Sequence, residues 1–345
     1  MKRLFVIFPL GGPINGVKII SKQIIDRFLK TDSLQVKTID VAQAKSFEDF
    51  GKFGVGKIFF LKQIVKKTEA IKKEDFVYMN FSTKGFAFYR DYYILSKVLS
   101  KSKNVTLHIH ANGLEKKKRF FSSAKFKDVK CIFITQEQYN KIDFFEKKYL
   151  LPNALEDYYN GNFVNERKRE TIKILFFSNL SKPKGVQSLY EFCEFCTKNN
   201  KDFDITICGG ILDSFSEEKI ELIRKLDNDR TTILPPVTDE EQKMKLFGQT
   251  DFLLLLSDAY YEVYPLVYIE ALMNGVSVIT TKQYVSDEII SGGTGSLFDI
   301  EQAVAFIEKK KDKLDDLCLA NRTKFEKSYN FADYFSTIKK YILND

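Results

Sequence analysis

Short apolar runs alternate with amphipathic segments through the first 155 residues. Runs of β-branched or aromatic residues predict five strands: Leu4–Phe8, Gln35–Ile39, Phe76–Asn80, Val105–His110 and Cys131–Thr135. Apolar residues at helical spacing predict helices between them, at Val17–Leu29, Lys57–Ile71 and Phe88–Leu99. Strands that alternate with helices favour a parallel sheet covered on both faces.

A polar, asparagine-rich stretch, YLLPNALEDYYNGNFVNERKRET, interrupts this rhythm and is typical of a linker. The alternation then resumes with strands predicted at Ile172–Phe177, Ile205–Cys208, Thr232–Leu234, Phe252–Leu256, Ser277–Thr280 and Gly295–Phe298. Helices are predicted at Val186–Thr197, Ser216–Leu226, Glu240–Phe247, Leu266–Met273, Gln302–Lys310 and, as a long tail, Lys313–Leu343. We therefore predict two tandem doubly wound α/β domains, 1–155 and 171–325, joined by a linker at 156–170.

Composition agrees with a folded protein of two domains. The chain has 345 residues, of which 44% are hydrophobic and 29% charged, so disordered and fibrous classes are excluded. The apolar run Leu4–Leu10 is short for a secretory signal and no cleavage site follows it, and no run approaches the roughly 20 apolar residues of a spanning helix. We expect a cytoplasmic protein.

Five cysteines in a chain of this length do not predict a disulfide framework. Cys193 and Cys196 form a C-x-x-C inside an apolar-periodic segment, with no second pair and no histidine nearby. This spacing favours a buried helix face over a zinc or redox site.

Charge is distributed unevenly. Residues 1–155 contain 30 basic and 14 acidic residues, net +16, and the remainder contains 24 basic and 32 acidic residues, net −8. A basic first half indicates an anionic partner, either a membrane surface or a nucleic acid. Basic and aromatic residues mix in Gly113–Lys130 and in Val55–Lys67, which suits an interfacial membrane patch, although a solvated charged face fits each segment equally well. Because no nucleic-acid recognition motif is present, we favour membrane contact.

Two glycine-containing loops follow predicted strands. Gly11 and Gly12 precede the first helix, where glycines let backbone N–H groups approach an anion, although a tight turn explains them as well. In the second domain Lys182 and Lys184 lie in a short loop before Gly185, well placed to hold a phosphate. Neither loop has the dinucleotide or P-loop pattern. Both lie at carboxyl ends of strands, so we predict a diphosphate site in a cleft between the domains.

The stretch YYEVYPLVYIEAL holds two acids, Glu262 and Glu270. Pro265 suits the first helical position, which places Glu262 in the loop before the helix and Glu270 on its second turn. The acids do not share a face, so a carboxylate dyad is not expected. Acids that flank a helix N-terminus can bind sugar hydroxyls, or they can simply be favoured by the helix dipole.

The chain has two histidines, His108 and His110, which point to the same side of one predicted strand. Such a pair can bind a metal, but no third ligand is evident. We expect His108, which lies deeper in the strand, to be a core residue, and we leave His110 open between a sugar contact and a core position.

The segment YYEVYPLVYIEALMNGVSVITT, followed by VSDEII, resembles the E-x7-E signature of retaining glycosyltransferases of family four, which have the GT-B fold, and in particular those of bacterial surface-polysaccharide synthesis. Further landmarks agree in order along the chain: Gly11–Gly12, LHIHANG with His110, LLPNA, and SNLSKPKG with Lys184. Three positions depart from the family pattern. Val263 and Ala154 replace glycines, and Asn179 replaces an arginine. The glycine pair before VSDEII is also missing.

The resemblance implies transfer of a sugar from a UDP- or GDP-sugar to a glycan or polyprenyl-linked acceptor, without a metal or a cofactor. It implies catalytic roles for His110, Glu262 and Lys184. It implies a donor site formed by Gly11, Gly12, Asn179, Lys182, Lys184, Gly209, Val263, Tyr264, Pro265, Leu266 and Glu270. We assign to acceptor or membrane contact Asn15, Lys116, Lys117, Lys118, Arg119, Phe120 and Phe121. In such enzymes the last helix, here 326–345, packs back on the first domain.

Two other functions stay open. A non-catalytic, membrane-peripheral nucleotide- or sugar-binding protein would tolerate the loss of the arginine at Asn179. A retaining sugar phosphorylase would need a pyridoxal lysine or a phosphate pocket, and the chain is short for one.

Overall fold

The computed structural model describes residues 1–12, 15–42, 55–159, 163–165, 170–226, 229–258 and 262–343; the side chains of residues 55, 57 and 58 lie outside the description. The chain forms two compact units. The first contains Met1–Glu156 together with Phe331–Asp345, and the second contains Asp157–Asn330. Part of the predicted linker, residues 160–162 and 166–169, lies outside the described residues.

The first unit contains a parallel sheet of six strands, β1 (Lys2–Phe8), β2 (Leu34–Asp40), β3 (Phe76–Asn80), β4 (Val105–Ile109), β5 (Lys130–Phe133) and β6 (Lys147–Leu150). The strand order is β2-β1-β3-β4-β5-β6. In register, Leu4 lies between Val36 and Phe76. The strands at the centre are buried on both faces, which explains their nearly continuous apolar sequence.

The α-helices of the first unit are α1 (Gly16–Leu29), α2 (Val55–Thr68), α3 (Gly85–Leu99), α4 (Gln136–Lys141) and, from the end of the chain, α12 (Phe331–Leu343). Helix α12 packs against this unit through aromatic rings. The Phe335 ring lies 4.8 Å from that of Phe28, and Tyr341 stacks on Tyr149 at 4.1 Å between centroids. The apolar face of α12 is therefore part of the first core.

The second unit contains another parallel sheet, with strands β7 (Ile172–Phe177), β8 (Phe203–Cys208), β9 (Thr231–Leu234), β10 (Phe252–Leu255), β11 (Ser277–Thr280) and β12 (Gly295–Leu297). Their order is β12-β11-β10-β7-β8-β9. The helices are α5 (Val186–Lys198), α6 (Ser214–Arg224), α7 (Glu240–Gly248), α8 (Leu266–Met273), α9 (Ser286–Ile290), α10 (Ile300–Lys310) and α11 (Leu314–Ser328). Both units are thus doubly wound α/β structures, as the sequence predicts.

The differences from the predicted elements have simple causes. Strand β6, with the sequence KKYL, was not predicted because an edge strand needs little apolar sequence. The single long helix predicted at the end of the chain is wrong, because the chain leaves helical geometry at Tyr329 and then begins α12. Cys193 and Cys196 are buried on the inner face of α5 and are not disulfide-bonded, as the core interpretation predicts. In the described part of the chain, no helix combines the length and the apolar character needed to cross a bilayer.

Candidate active site

The second unit has a topological switch point between β7 and β10. From β7 the chain continues to β8 on one side, and from β10 it continues to β11 on the other. Open α/β sheets bind ligands outside the carboxyl ends of the strands at such a point. The loop after β7 contains Lys184, and the loop after β10 contains Glu262, so both side chains start from this position.

The two loops lie against each other because Gly185 has no side chain. A Cβ atom at Gly185 would lie 2.3 Å from the carbonyl oxygen of Leu256, and the φ of Gly185 is +86°. One residue type alone adopts this conformation at no cost and in this little space. The contact is reinforced where the N–H of Asp258 donates to the carbonyl oxygen of Pro183 at 2.9 Å. The β7 loop is thereby fixed against the end of β10.

Lys184 and Glu262 form an ion pair across these loops. Their side chains are 27% and 21% exposed, so the pair lies at the surface of the switch point and remains open to solvent. The sequence singled out both residues for the same site, and the structure brings them into contact. An ammonium group beside a carboxylate here can neutralise phosphate, while the carboxylate accepts hydrogen bonds from hydroxyl groups.

Helix α8 begins beside this pair. The expectation that Pro265 occupies the first helical position is wrong by one residue, because its ψ of 125° is extended and the helix begins at Leu266. The N–H of Tyr268 donates to the carbonyl oxygen of Pro265. N–H groups in the first turn of a helix have no acceptor within the helix and carry the positive end of its dipole. Val263 and Leu266 are half-buried next to this helix start.

Tyr264 anchors the segment that leads into α8. Its side chain is buried, and its hydroxyl group lies 3.0 Å from a carboxylate oxygen of Glu288 and 2.8 Å from the hydroxyl of Tyr329. The other Glu288 oxygen accepts from the hydroxyl of Tyr268 at 3.1 Å. Burial, with the Glu288 charge second, raises the pKa of Tyr264 well above its ordinary value. The Tyr264 side chain therefore stabilises the loop from inside the second unit, and of Tyr264 only the backbone is available to a ligand in the proposed nucleotide-sugar site.

Glu270 is separated from Glu262 and has its own partners. It is buried on α8, forms an ion pair with Lys243 of α7, and accepts a hydrogen bond of 3.4 Å from the hydroxyl of Tyr158. Burial, with the Glu270 charge second, raises the pKa of Tyr158. Each acid of the pair thus has a separate lysine, and a carboxylate dyad is absent from this part of the described chain.

The remaining donor-site candidates of the second unit surround β7 and β8. Gly209 follows β8, and a Cβ there would lie 1.8 Å from the carbonyl oxygen of Ser178, so glycine is required for the two loops to approach. Asn179 is exposed. The Lys182 ammonium lies 5.5 Å from the centre of the Phe215 ring, and its backbone N–H faces Asp213 at 3.4 Å.

In the first unit, His108 and His110 lie at the end of β4. His108 is fully buried, as predicted, and its Nδ1 is hydrogen-bonded to the Tyr78 hydroxyl at 2.6 Å. The two imidazole rings lie 4.0 Å apart. Burial lowers the pKa of His110 to about 4. Within the described residues its Nε2 has no hydrogen-bond partner, so a neutral imidazole with a free ring nitrogen is held there.

The loop after β1 differs from its expected use. The N–H groups of Leu10 and Gly11 donate to the carboxylate of Asp40, at 2.8 and 3.1 Å. In this structure an internal carboxylate therefore accepts from the Gly11 N–H, and a role of this N–H in anion binding stays a prediction. Gly12 has a φ of +74°, and Asn15 caps α1 by accepting from the N–H of Lys18. This capping hydrogen bond gives Asn15 a structural role that does not depend on a sugar acceptor.

The basic segment after β4 begins with a 3₁₀ helix, Leu114–Phe120. The assignment of Phe121 to membrane contact is wrong, because its ring is buried in the first core beside Phe126. Phe120 is half-buried and also packs on that core. Lys116, Lys118 and Arg119 are exposed, and Lys118 pairs with an exposed carboxylate. Lys117 is half-buried, with its ammonium 4.6 Å from the centre of a phenylalanine ring in α3.

Four residues of these sites were not found from the sequence: Lys243, Tyr158, Glu288 and Asp40. Lys243 is one lysine among many on a polar helix, and Tyr158 lies in the predicted linker. Asp40 ends a strand, which is a weak signal. Glu288 had a signal in VSDEII, but no role follows from it alone.

Residues 160–328, slightly less than half of the chain, match the family described as "Glycosyl transferases group 1". A search of curated protein sequences finds no match. Among solved structures, the chain is similar to a glycosyltransferase from Rickettsia africae ESF-5, with a TM-score of 0.73, 17% identity, and 100% of this chain and 99% of that chain covered. It is similar to the Anabaena protein Alr3699/HepE in complex with UDP, with a TM-score of 0.71, 15% identity and 100% of both chains covered.

A sucrose-phosphate synthase from Thermosynechococcus elongatus matches with a TM-score of 0.71, 15% identity, and 99% of this chain and 98% of that chain covered. Two parallel six-stranded sheets with this agreement define the fold of the chain as that of the GT-B glycosyltransferases. The match to the family of glycosyl transferases group 1 lies within its second unit.

Proposed function

We propose that this protein is a retaining glycosyltransferase that moves a sugar from a nucleoside-diphosphate sugar to a glycan or polyprenyl-linked acceptor in surface-polysaccharide synthesis. The observation that carries the proposal is the ion pair of Lys184 and Glu262 at the switch point between β7 and β10, next to the start of α8. The complexes of the Anabaena protein with UDP and with UDP-glucose support a uridine nucleotide as the donor.

In this proposal the donor diphosphate binds to Lys184 and to the N–H groups from Val263 to Leu266. Positive groups placed where charge develops stabilise the leaving diphosphate, so no metal is needed for that step. Glu262 accepts hydrogen bonds from the sugar hydroxyls, and Glu270, fixed by Lys243, accepts from the ribose. Asn179, Lys182 and Gly209 complete the donor side.

Transfer breaks the bond between the anomeric carbon and the phosphate oxygen, and the acceptor oxygen bonds to that carbon from the same face. The proton of the acceptor hydroxyl moves to the departing phosphate, so no side chain acts as the base. His110, which is neutral because burial lowers its pKa to about 4, contacts the sugar in this proposal. The first unit, with Gly12 in the loop after β1, binds the acceptor. The enzyme acts as a peripheral protein on the cytoplasmic face of the membrane.

The test is to measure the thermal stability of the protein with UDP, GDP, ADP and their sugars, and then hydrolysis or transfer with the donor that binds. A bound donor raises the unfolding temperature by mass action. Glu262→Ala should keep the fold and abolish turnover. Wild-type turnover in that variant contradicts the assigned role of Glu262, and the absence of any nucleotide effect contradicts the donor site. Binding without turnover on any acceptor identifies a non-catalytic binding protein instead.

A further inference from the structure

The outward face of α3 in the first unit is aromatic. Its most exposed large side chains are Phe86, Tyr89 and Tyr93, at 57%, 51% and 45%. Their spacing of three and four residues places them on one face of the helix. The next exposed position along the face is Lys97, and the one acid of the helix, Asp91, is buried. A helix at a protein surface ordinarily shows water a polar stripe, so this face has the character of a surface that meets a less polar partner.

Basic side chains lie along this aromatic face. The Lys117 ammonium is 5.6 Å from the centre of the Tyr89 ring, and that of Lys97 is 5.4 Å from the Tyr93 ring. Lys125 reaches the same helix, with its ammonium 3.4 Å from the hydroxyl oxygen of Ser96. Aromatic rings framed by ammonium groups match an anionic lipid surface, where rings enter the interfacial layer and lysines meet phosphates.

We propose that the aromatic face of α3, with Lys97, Lys117 and Lys125, is the surface by which the protein docks on an anionic phospholipid bilayer. The net charge of +16 on residues 1–155 attracts the unit to such a surface at long range. A second copy of this chain is a poorer occupant, because a symmetric pairing of the face brings the same lysines together. This inference gives the membrane contact of the proposed function a defined location, and to that extent it rests on the proposed function.

The sequence pointed to a neighbouring segment for a physical reason. In Gly113–Lys130 most lysines are exposed while Phe121 and Phe126 are buried, whereas in α3 the rings of Phe86, Tyr89 and Tyr93 are exposed. The docking surface therefore combines the rings and Lys97 of α3 with Lys117 and Lys125 of the neighbouring segment. Helix α2, which packs against α3, adds one further exposed ring at Phe59, 63% exposed.

The experiment is co-sedimentation of the whole protein with vesicles of phosphatidylglycerol and with vesicles of phosphatidylcholine. Wild type should bind the phosphatidylglycerol vesicles more tightly, with binding that weakens as salt is added. The double variant Phe86→Ser/Tyr93→Ser should lose about tenfold or more of this binding, because two rings no longer enter the interface. Leu319→Ser, which removes an apolar side chain that is 69% exposed in the second unit, is the control and should bind as wild type does.

The charge arm compares Lys97→Glu/Lys125→Glu with the control Lys309→Glu, an exposed lysine of α10. We expect the double reversal to weaken binding at least about fivefold at low salt and the control to have little effect. Wild-type binding in both double variants refutes the proposal, and so does a wild type that ignores both vesicles. If the wild type ignores vesicles and sediments as a dimer that Phe86→Ser/Tyr93→Ser dissociates, the face joins two copies. Nucleotide-induced stabilisation, measured on the same samples, reports on the donor site independently.

Discussion

Lys184 forms an ion pair with Glu262, so the strength of the proposed contact between Lys184 and phosphate can be estimated from an exchange of partners. A hydrogen bond to a charged group contributes about 1.5–3 kcal/mol. Against this stands the loss of a partly exposed ion pair, worth up to about 1 kcal/mol. With the full ion-pair value subtracted, the net contribution of Lys184 to nucleoside-diphosphate binding is about 0.5–2 kcal/mol, which corresponds to roughly 2- to 30-fold in affinity.

The perturbations are Lys184→Ala and Glu262→Gln, each titrated calorimetrically with UDP, GDP and ADP. Lys184→Ala should weaken binding of the preferred nucleotide by the estimated factor, whereas Glu262→Gln should leave affinity unchanged or raise it, since the lysine loses its competing carboxylate. Lys198→Ala, at the far end of α5 where the lysine pairs with Glu194, should bind as wild type does. Equal affinities of Lys184→Ala and wild type refute the phosphate contact. A parallel loss in Glu262→Gln shows instead that the pair maintains the shape of the loops.

Three further predictions concern stability. Lys243→Met leaves the buried Glu270 carboxylate without its ion-pair partner and should lower the free energy of unfolding by about 3 kcal/mol. Adding Glu270→Gln to the same chain should restore most of this loss. If it does not, the predicted pairing is contradicted. His110 has a pKa of about 4 when folded and an ordinary value of 6.5, so its contribution to stability is fully present above pH 6.5 and is lost as the pH falls towards 4. Between pH 6.5 and 4 the free energy of unfolding of His110→Asn should fall less steeply than that of the wild type, by up to about 3 kcal/mol in total. The same dependence on pH in both proteins would contradict the lowered pKa. Gly185→Ala should destabilise the protein by about 2 kcal/mol or more, because position 185 has a positive φ and a methyl group there would clash with a carbonyl oxygen. Gly56→Ala should stabilise helix α2 by about 0.5–1 kcal/mol, because the new methyl group would have open space around it. Equal melting temperatures for the two variants would contradict this packing argument.

Much of the fold follows from the sequence because parallel strands buried on two faces are nearly continuous apolar runs. Of the twelve strands in the described residues, eleven lie where such runs were found, and the exception is the polar edge strand β6. Lys184 and Glu262 were also found together, since each follows a strand that ends at the switch point. Local sequence was sufficient to predict the place of a residue in the fold wherever that place is determined by the strand just before it.

The rest depends on which way a helix or turn faces, and composition does not determine that. Phe121 and Tyr89 occur in equally mixed surroundings of aromatic and basic residues, yet one is in the core and the other is exposed. Lys243 of α7 meets Glu270 of α8 although the two residues are 27 positions apart in the sequence. Asp40 reaches the glycine loop because β2 pairs with β1. Such contacts join residues that are distant in sequence, and no local pattern announces them.

The first unit is assembled from two separate pieces of chain, residues 1–156 and 331–345, with the whole of the second unit between them. During synthesis the second unit can complete its core as a continuous segment, while the first unit lacks α12 until Phe331–Leu343 have been made. Until then the ring of Phe28 and the edge of the sheet at Tyr149 have no cover, since Phe335 and Tyr341 provide it. A chain that stops before α12 therefore has a complete second unit and an incomplete first unit. Completion of the first unit depends on prior synthesis of the second.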